Sequence, residues 1–143
     1  MAVWRSRVTA ARIGHLATVG ADGSPHVVPI CFALVGDTAY SAVDHKPKRH
    51  LRLRRLIDIA ETGRASLLID YYDEDWSQLW WVRLDGPARV VIDPAEIGRA
   101  LAELAGKYAQ YAQRRPEGPV IAIDAARWIV WSAAGVPILT WDM

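Results

Sequence analysis

Hydrophobic residues alternate with polar residues along much of the chain, and alternation is the period of a β-strand. This pattern predicts strands over residues 13–19, 26–35, 39–43, 64–71, 80–92, 120–124 and 127–132. Turn sequences with Gly, Ala21-Asp22-Gly23-Ser24 and Gly36-Asp37-Thr38, separate the first three strands. Two consecutive hairpins indicate an antiparallel meander.

Helical spacing of apolar residues occurs in three segments. The first covers residues 3–12, and the second begins at Pro47 and ends near Gly63. The third begins at Asp93, which is followed by Pro at the first helical position and Glu at the third. Within 80–92, Gly86-Pro87 is expected to bend or bulge the strand. We therefore predict a mainly β (α+β) fold, a six-stranded antiparallel barrel with flanking helices.

Length and composition favour one domain over residues 1–143. The 52% hydrophobic content is ample for a buried core. Cys31 is the single cysteine, so an internal disulfide is excluded and a buried, inert thiol is expected. The N-terminus leads into no apolar signal core, and the apolar run 27–35 is too short to span a bilayer. We expect a cytoplasmic protein with no membrane partner.

Positive charge is concentrated in one segment. Six of the seventeen Lys and Arg residues lie between Lys46 and Arg55, although the formal net charge is only +1. A local basic cluster focuses the field on a small polyanion, and Arg and Lys both bind phosphate. A long nucleic acid usually requires a basic domain, so none is expected. The alternative is an exposed helix face with solvated charges.

Few other residues indicate chemistry. Adjacent residues of a strand point to opposite faces, so one of Trp80 and Trp81 is expected inside and the other at an interface or against a heterocycle. Both could instead be core or dimer contacts. Residues 73–75 are expected to be a solvated acidic loop. The His residues and Cys31 have no zinc-like spacing, and no metal site is predicted. No catalytic acid, base or nucleophile can be identified from spacing.

Several stretches resemble a known family. Residues 16–30, which read Leu-Ala-Thr-Val-Gly-Ala-Asp-Gly-Ser-Pro-His-Val-Val-Pro-Ile, resemble the opening hairpin of the split β-barrel flavin-binding superfamily. That superfamily includes pyridoxamine 5′-phosphate oxidase. Four later blocks, residues 40–49, 52–56, 64–68 and 75–83, resemble the probable F420-dependent enzymes of actinobacteria. Those enzymes use a deazaflavin in place of FMN.

The resemblance implies a homodimer with the cofactor in a groove at the subunit interface. The cofactor ring would pack on the second and third strands, which here means Val28, Pro29, Ile30, Ser41, Ala42 and Val43. The cofactor phosphate would be held by the basic segment and the residues after it, namely Lys46, Lys48, Arg49, Arg54, Arg55 and Asp58. By the same resemblance, Trp81 would reach the ring from the partner subunit.

The phosphate pattern departs from that of FMN oxidases, which read Ser-Arg-Lys-x-x-Gln/Asn-Leu. Here Leu53 replaces the hydroxyl, Arg55 replaces Lys, and Asp58 stands where an amide is usual. The change leaves room for a longer and more anionic tail, and the F420 tail carries a phosphodiester and carboxylates. The resemblance therefore implies an F420-dependent oxidoreductase that transfers a hydride between the cofactor and a small organic substrate. Two alternatives stay open, an FMN-dependent oxidase-like enzyme and a non-catalytic carrier of a flavin, F420 or haem.

Overall fold

A computed structural model describes residues 1–43, 53–135 and 138–143. In chain order its helices and strands are α1 (Ala2–Ala10), β1 (Gly14–Val19), β2 (Pro25–Ile30), β3 (Ala33–Val35), β4 (Thr38–Ala42), α2 (Arg54–Thr62), β5 (Arg64–Tyr71), β6 (Trp80–Val90), α3 (Pro94–Lys107), α4 (Ala109–Gln113), β7 (Val120–Asp124), β8 (Arg127–Ser132) and β9 (Ile138–Asp142). Within the described ranges, no helix is both long enough and apolar enough to span a bilayer.

All strand pairings in the described ranges are antiparallel. The strands follow the order β2-β1-β5-β6-β7-β4-β3, and β8 pairs with β6 and carries β9 on its other edge. Strand β6 belongs to both halves, because residues 80–85 pair with β8 and residues 88–90 pair with β7. The prediction of a mainly antiparallel β barrel with flanking helices is confirmed.

The exchange of partners along β6 takes place at Gly86. A Cβ atom there would overlap the carbonyl oxygen of Asp124 and lie 2.9 Å from the amide nitrogen of Ala126. Only glycine lets the start of the β7–β8 connection approach the strand this closely. The close approach occurs within the predicted Gly86-Pro87 bend.

The number of strands differs from the prediction of six, because the described part of the chain contains nine. The apolar run 26–35 is not one strand but two, β2 and β3, interrupted at Cys31 and Phe32. Side chains from α3 and the residue after it hold Phe32 there: its N–H donates to the Tyr108 hydroxyl at 3.0 Å, and its carbonyl accepts from Lys107 at 2.8 Å. Strand β9 was not predicted either.

Two groups of buried side chains form the core. The larger one lies between β1, β5, β6 and β8 and contains fully buried Trp128, Phe32 and Leu16. The smaller one packs α3 against β3, β4 and β7 through residues such as Leu104. Helix α3 starts as predicted, since the carboxylate of Asp93 accepts from the amide of Ala95 at 3.1 Å. Helix α2 packs against β1 and β6. Its first two residues, Arg54 and Arg55, are the last residues of the basic segment.

Candidate functional site

The basic segment is described only at its end. Lys46, Lys48 and Arg49 lie outside the described residues, and the structure resumes at Leu53, the N-cap of α2. The predicted contribution of those three cations to an anion site therefore stays a prediction. Arg54 and Arg55 are placed, and both belong to the first turn of α2.

The N-terminus of α2 is suited to an anion. Leu53 offers no side-chain cap, and the first turn contains no acidic residue. The amide groups of the first helical turn and the helix dipole attract negative charge, and two arginines at the same place add to that attraction. Arg54 is largely exposed, with 55% of its side-chain surface accessible, while Arg55 is half-buried. This first turn is the described part of the predicted phosphate site.

Apolar residues from two strands share a core cluster with α2. Ile30 at the end of β2, Val43 after β4 and Leu56 of α2 belong to one buried cluster, with Val28 and Leu53 packed against it. The structure therefore brings three of the six predicted ring-binding residues together with α2.

The other three predicted ring-binding residues lie elsewhere. Pro29 is exposed, on the opposite face of β2 from Val28 and Ile30. Ala42 belongs to the second core group, which packs against α3. Ser41 is buried in β4, where it pairs with Ile121 of β7.

Asp58 is fully buried, so its carboxylate meets protein groups. Its Oδ2 accepts from the Thr18 hydroxyl at 2.7 Å and lies 3.1 Å from Nδ1 of His26. Its Oδ1 lies 3.9 Å from the Arg54 guanidinium. A buried carboxylate is stable only when it is paired and hydrogen-bonded. Asp58 thus links α2 to the first hairpin. Its connection to the first turn of α2 is through Arg54.

Thr18 and His26 were missed as site residues by sequence reasoning, although alternation carried the signal. Thr18 falls on the same face of β1 as buried Leu16, and His26 falls on the same face of β2 as Ile30. Polar side chains at such inward positions indicate a buried polar partner. The identity of that partner, a carboxylate 40 residues after Thr18 along the chain, depends on the tertiary fold.

The turn beside this group is also polar. The amide of Ser24 donates to the Asp22 carboxylate at 2.9 Å. Hydrogen bonds from Ser24 are the main reason that the pKa of Asp22 is lowered, and the positive charge of Arg54 contributes a smaller part. The field of the α2 first turn therefore reaches the β1–β2 turn.

The two adjacent tryptophans take opposite faces of β6, as predicted. Trp80 lies on the core side, where its ring is 6.0 Å from that of Trp4 and stacks on Tyr71 at 6.0 Å. Trp81 lies on the other side, level with Asp70 of β5 and Trp131 of β8. Its contact with a cofactor ring or a partner subunit stays a prediction.

The side of the sheet that carries Trp81 is called here the outer face. It consists of the side chains of β1, β2, β5, β6, β8 and β9 that point away from the core. Several of them are apolar and half-buried or exposed: Val27, Pro29, Leu68, Trp81, Ile129, Trp131 and Ile138. Val27 is 66% exposed and Ile138 60% exposed.

A groove of about 830 Å³ opens on the outer face near the start of β5, within the size range of pockets that bind small ligands. It is lined by Ala17, Thr18, Val19, Pro25, Arg64, Ala65, Ser66, Asp85, Gly86, Pro87, Ala126, Arg127 and Asp142. Asp85 accepts from Ser66 at 2.7 Å and from Arg83 at 2.8 Å. Burial alone would raise the pKa of Asp85, but these hydrogen bonds outweigh it and lower the pKa. Sequence reasoning did not find this groove.

At the far end of β5 stands a polar loop, residues 71–78, which we call the aromatic arm. Its backbone is braced, because the Asp75 amide donates to Asp73 at 2.8 Å and Asp75 accepts from the Ser77 amide at 3.1 Å to start a short 3-10 turn. Tyr72 is 63% exposed and Trp76 is 67% exposed. The predicted solvated acidic loop is present here, together with two exposed aromatic rings. In the described ranges, no three His, Cys, Asp or Glu side chains are placed to hold a metal ion.

Comparison with known proteins identifies the family. The sequence profile described as pyridoxamine 5′-phosphate oxidase matches residues 2–132. No curated protein is similar enough in sequence to this chain to count as a match.

Solved structures share the fold at low sequence identity. A conserved hypothetical protein from Mycobacterium tuberculosis has 22% identity and a TM-score of 0.73, with 92% of this chain and 84% of that chain covered. A haem-binding protein from Mycobacterium smegmatis has 18% identity and a TM-score of 0.74, with 96% of this chain but only 55% of that chain covered. A FAD-binding protein from Mesorhizobium loti has 20% identity and a TM-score of 0.63, with 91% and 93% covered. At these identities the likeness shows the fold alone.

Proposed function

Since the chain belongs to the pyridoxamine 5′-phosphate oxidase family, we propose that it is an F420-dependent oxidoreductase acting on a small organic substrate. The observation that carries the proposal is the first turn of α2. That turn has two arginines, no side-chain cap and no acid, and its helix shares a core cluster with Val28, Ile30 and Val43.

The residues present fit an anionic deazaflavin tail. Arg54 and Arg55 would hold the phosphodiester, and the guanidinium fork matches the tail carboxylates equally well. Asp58, at the position where FMN oxidases have an amide, is fully buried against Thr18 and His26. It is therefore engaged by the protein itself, which supports a different mode of phosphate binding from that of the FMN enzymes.

The role of the protein is to bind, orient and exclude water. The bound deazaflavin supplies the carbon that accepts or gives the hydride. Val28 would form an apolar wall beside the ring, with Ile30 and Val43 buried in the same cluster. Pro29, Ser41 and Ala42 are not part of this wall, because they lie on other faces, and their contacts stay predictions. No side chain is assigned as a catalytic acid or base, because hydride transfer needs positioning more than proton transfer.

A homodimer is part of the proposal. Trp81 lies on the outer face, whereas α2 packs on the core side of the same sheet. Trp81 would therefore reach a cofactor ring only in a second copy. An exposed apolar sheet face of this kind is typical of a protein–protein interface.

A second candidate function is a carrier that binds a cofactor without turnover. It is favoured by the shared fold with proteins named as haem-binding and FAD-binding. An FMN-dependent oxidase-like enzyme is the third reading, and it has the same fold.

Titration of the purified protein with F420, FMN and haemin separates these functions. We expect saturable F420 binding at micromolar concentrations, weaker FMN binding, and oxidation or reduction of bound F420 with a suitable organic substrate. No saturable F420 binding would remove the cofactor assignment, tight FMN binding would favour the oxidase-like enzyme, and binding without turnover would favour the carrier.

The anion site is tested by the double variant Arg54→Ala, Arg55→Ala. We expect F420 binding to weaken about tenfold or more, because hydrogen bonds to charged groups contribute roughly 1.5–3 kcal/mol each. Arg99→Ala, an exposed arginine of α3, serves as the matched control and should leave binding unchanged. Equal loss in the control and the double variant would mean that the anion site has been misplaced.

A further inference from the structure

We propose that the aromatic arm of one copy docks in the outer-face groove of a second copy, so that two copies exchange arms about a twofold axis. The inference rests on the homodimer of the proposed function and adds which surfaces meet. Its partner is a second copy of this chain.

The arm has the properties of a binding anchor. Tyr72 and Trp76 are the two most exposed aromatic side chains in the described part of the chain, and the indole N–H of Trp76 lies 3.4 Å from the Tyr72 hydroxyl. The two rings therefore stand together. Tyr71 below them stacks on Trp80 and donates to Asp73 at 2.9 Å, which holds the arm on the core. Rigid aromatic anchors lose little conformational entropy on binding and dominate interface energetics.

The groove has the complementary properties. Its floor includes apolar side chains from Ala17, Val19, Pro25 and Pro87, against which an aromatic ring can pack. At its edge Arg64 is exposed, and among the described residues it makes no hydrogen bond or ion pair. The arm carries Asp73, Glu74 and Asp75. Asp85 and Asp142 also line the groove, but they are paired with Arg83 and Arg127. The charge left to attract the acidic arm is therefore that of Arg64.

The positions of the two features fit a twofold axis. The groove includes Arg64 at the start of β5, and the arm begins at Tyr71 at the end of the same strand. At ~3.3 Å per residue the strand separates them by roughly 23 Å. A twofold axis that lies parallel to the outer face and crosses β5 at right angles near its middle sets the end of β5 in one copy opposite the start of β5 in the other. Each arm then lies on the groove of the other copy, and both pairs of surfaces are used.

The same packing covers the apolar outer face. Leu68 and Trp81 lie between the two ends of β5, so they would be enclosed where the two sheets meet. Their burial adds the apolar centre that a stable interface requires, with the charged arm contacts at its rim. The exposed rings of Tyr72 and Trp76 and the bare outer face then have one explanation.

The test is the oligomeric state of the double variant Tyr72→Ser, Trp76→Ser, measured by sedimentation equilibrium across a range of concentrations. We expect the wild type to be a dimer and the variant to dissociate at least a hundredfold more readily. Ile92→Ser is the matched control, because Ile92 is 88% exposed and lies beyond the last strand residue of β6, outside both surfaces. The control should dimerise like the wild type.

The charge contact has its own test, which also serves if the double variant fails to fold. Arg64→Glu should weaken dimerisation, and adding Glu74→Arg to it should restore much of the loss. A monomeric wild type at all concentrations overturns the proposal. So does a folded Tyr72→Ser, Trp76→Ser variant, or an Arg64→Glu variant, that dimerises like the wild type.

F420 titration of the same proteins keeps this inference distinct from the proposed function. A dimer that depends on the arm but binds no F420 would leave the docking inference standing and remove the cofactor. If the protein binds F420 but its dimerisation does not depend on the arm, the cofactor assignment stands and the docking inference is removed.

Discussion

The Asp58 carboxylate has no exposed surface, and its Oδ2 accepts from the Thr18 hydroxyl at 2.7 Å and lies 3.1 Å from Nδ1 of His26. Replacing Asp58 by Ala leaves the Thr18 hydroxyl without its acceptor and removes the carboxylate beside His26. Loss of a hydrogen bond to a charged group costs roughly 1.5–3 kcal/mol, so we expect Asp58→Ala to be destabilised by about that amount. Urea denaturation should show this loss in the free energy of unfolding.

Thr18→Val tests the same group from the other side. It removes one hydrogen bond to Asp58 but keeps the shape of the side chain, so we expect a loss of roughly 1–3 kcal/mol. Glu103→Ala, on the exposed side of α3, is the control and should stay within ~0.5 kcal/mol of the wild type. If Asp58→Ala unfolds at the same urea concentration as Glu103→Ala, the carboxylate does not tie α2 to the hairpin.

Glu96 gives the protein a stability that depends on pH. Hydrogen bonds from Arg89 and then from Tyr40 lower its pKa from 4.5 to about 2. A carboxylate with a lowered folded pKa stabilises the native state above its unfolded pKa, and this stability is lost as the pH falls from about 4.5 to about 2.

We therefore expect Glu96→Gln to be less stable than the wild type at pH 7 and to show a weaker pH dependence between pH 4.5 and pH 2. Urea midpoints at several pH values measure this difference. Parallel pH profiles for the two proteins would show that the Arg89 contact contributes nothing to acid stability.

Gly86 permits β6 to serve both halves of the barrel. A methyl group there would overlap the Asp124 carbonyl, so Gly86→Ala should destabilise the protein by several kcal/mol or prevent folding. Gly98→Ala is the matched control, because a Cβ at this position of α3 meets nothing within 4 Å. It should stabilise the protein by about 0.5–1 kcal/mol, since alanine favours a helix. We expect the melting temperature of Gly86→Ala to lie below that of the wild type and the melting temperature of Gly98→Ala to lie above it. Equal melting temperatures for the two variants would contradict this prediction.

Most helices and strands could be predicted from the sequence because their signals are local. The turn glycines, the Asp93 cap and the alternation in β1 and β5 each act within a few residues. The break after β2 could not be predicted, because Phe32 is held by Tyr108 and Lys107, some 75 residues away. Strand β9 was missed although its pattern is local, because Leu139 and Trp141 face the core and alternate with Thr140 and Asp142.

The candidate site, too, could be predicted only in part. The basic cluster is a run in the sequence, so Arg54 and Arg55 could be singled out directly. The environment of Asp58 could not, because it depends on how α2 crosses β1 and β2. The outer-face groove is built from the ends of five strands and the middle of β6, which only the folded chain brings together.

Docked arms make the stability of the whole protein depend on its concentration. Folding linked to dimerisation is favoured by mass action, so the melting temperature of the wild type should rise as the protein concentration rises. Tyr72→Ser, Trp76→Ser removes the exposed anchors and should give a melting temperature that is lower at high concentration and independent of concentration. Scanning calorimetry over a hundredfold concentration range measures both. Tyr72 and Trp76 are more than 60% exposed in a single copy, so their loss should matter little when the protein is monomeric. If the variant melts below the wild type by the same amount at low and at high concentration, the two side chains support the fold of one copy and not the contact between two.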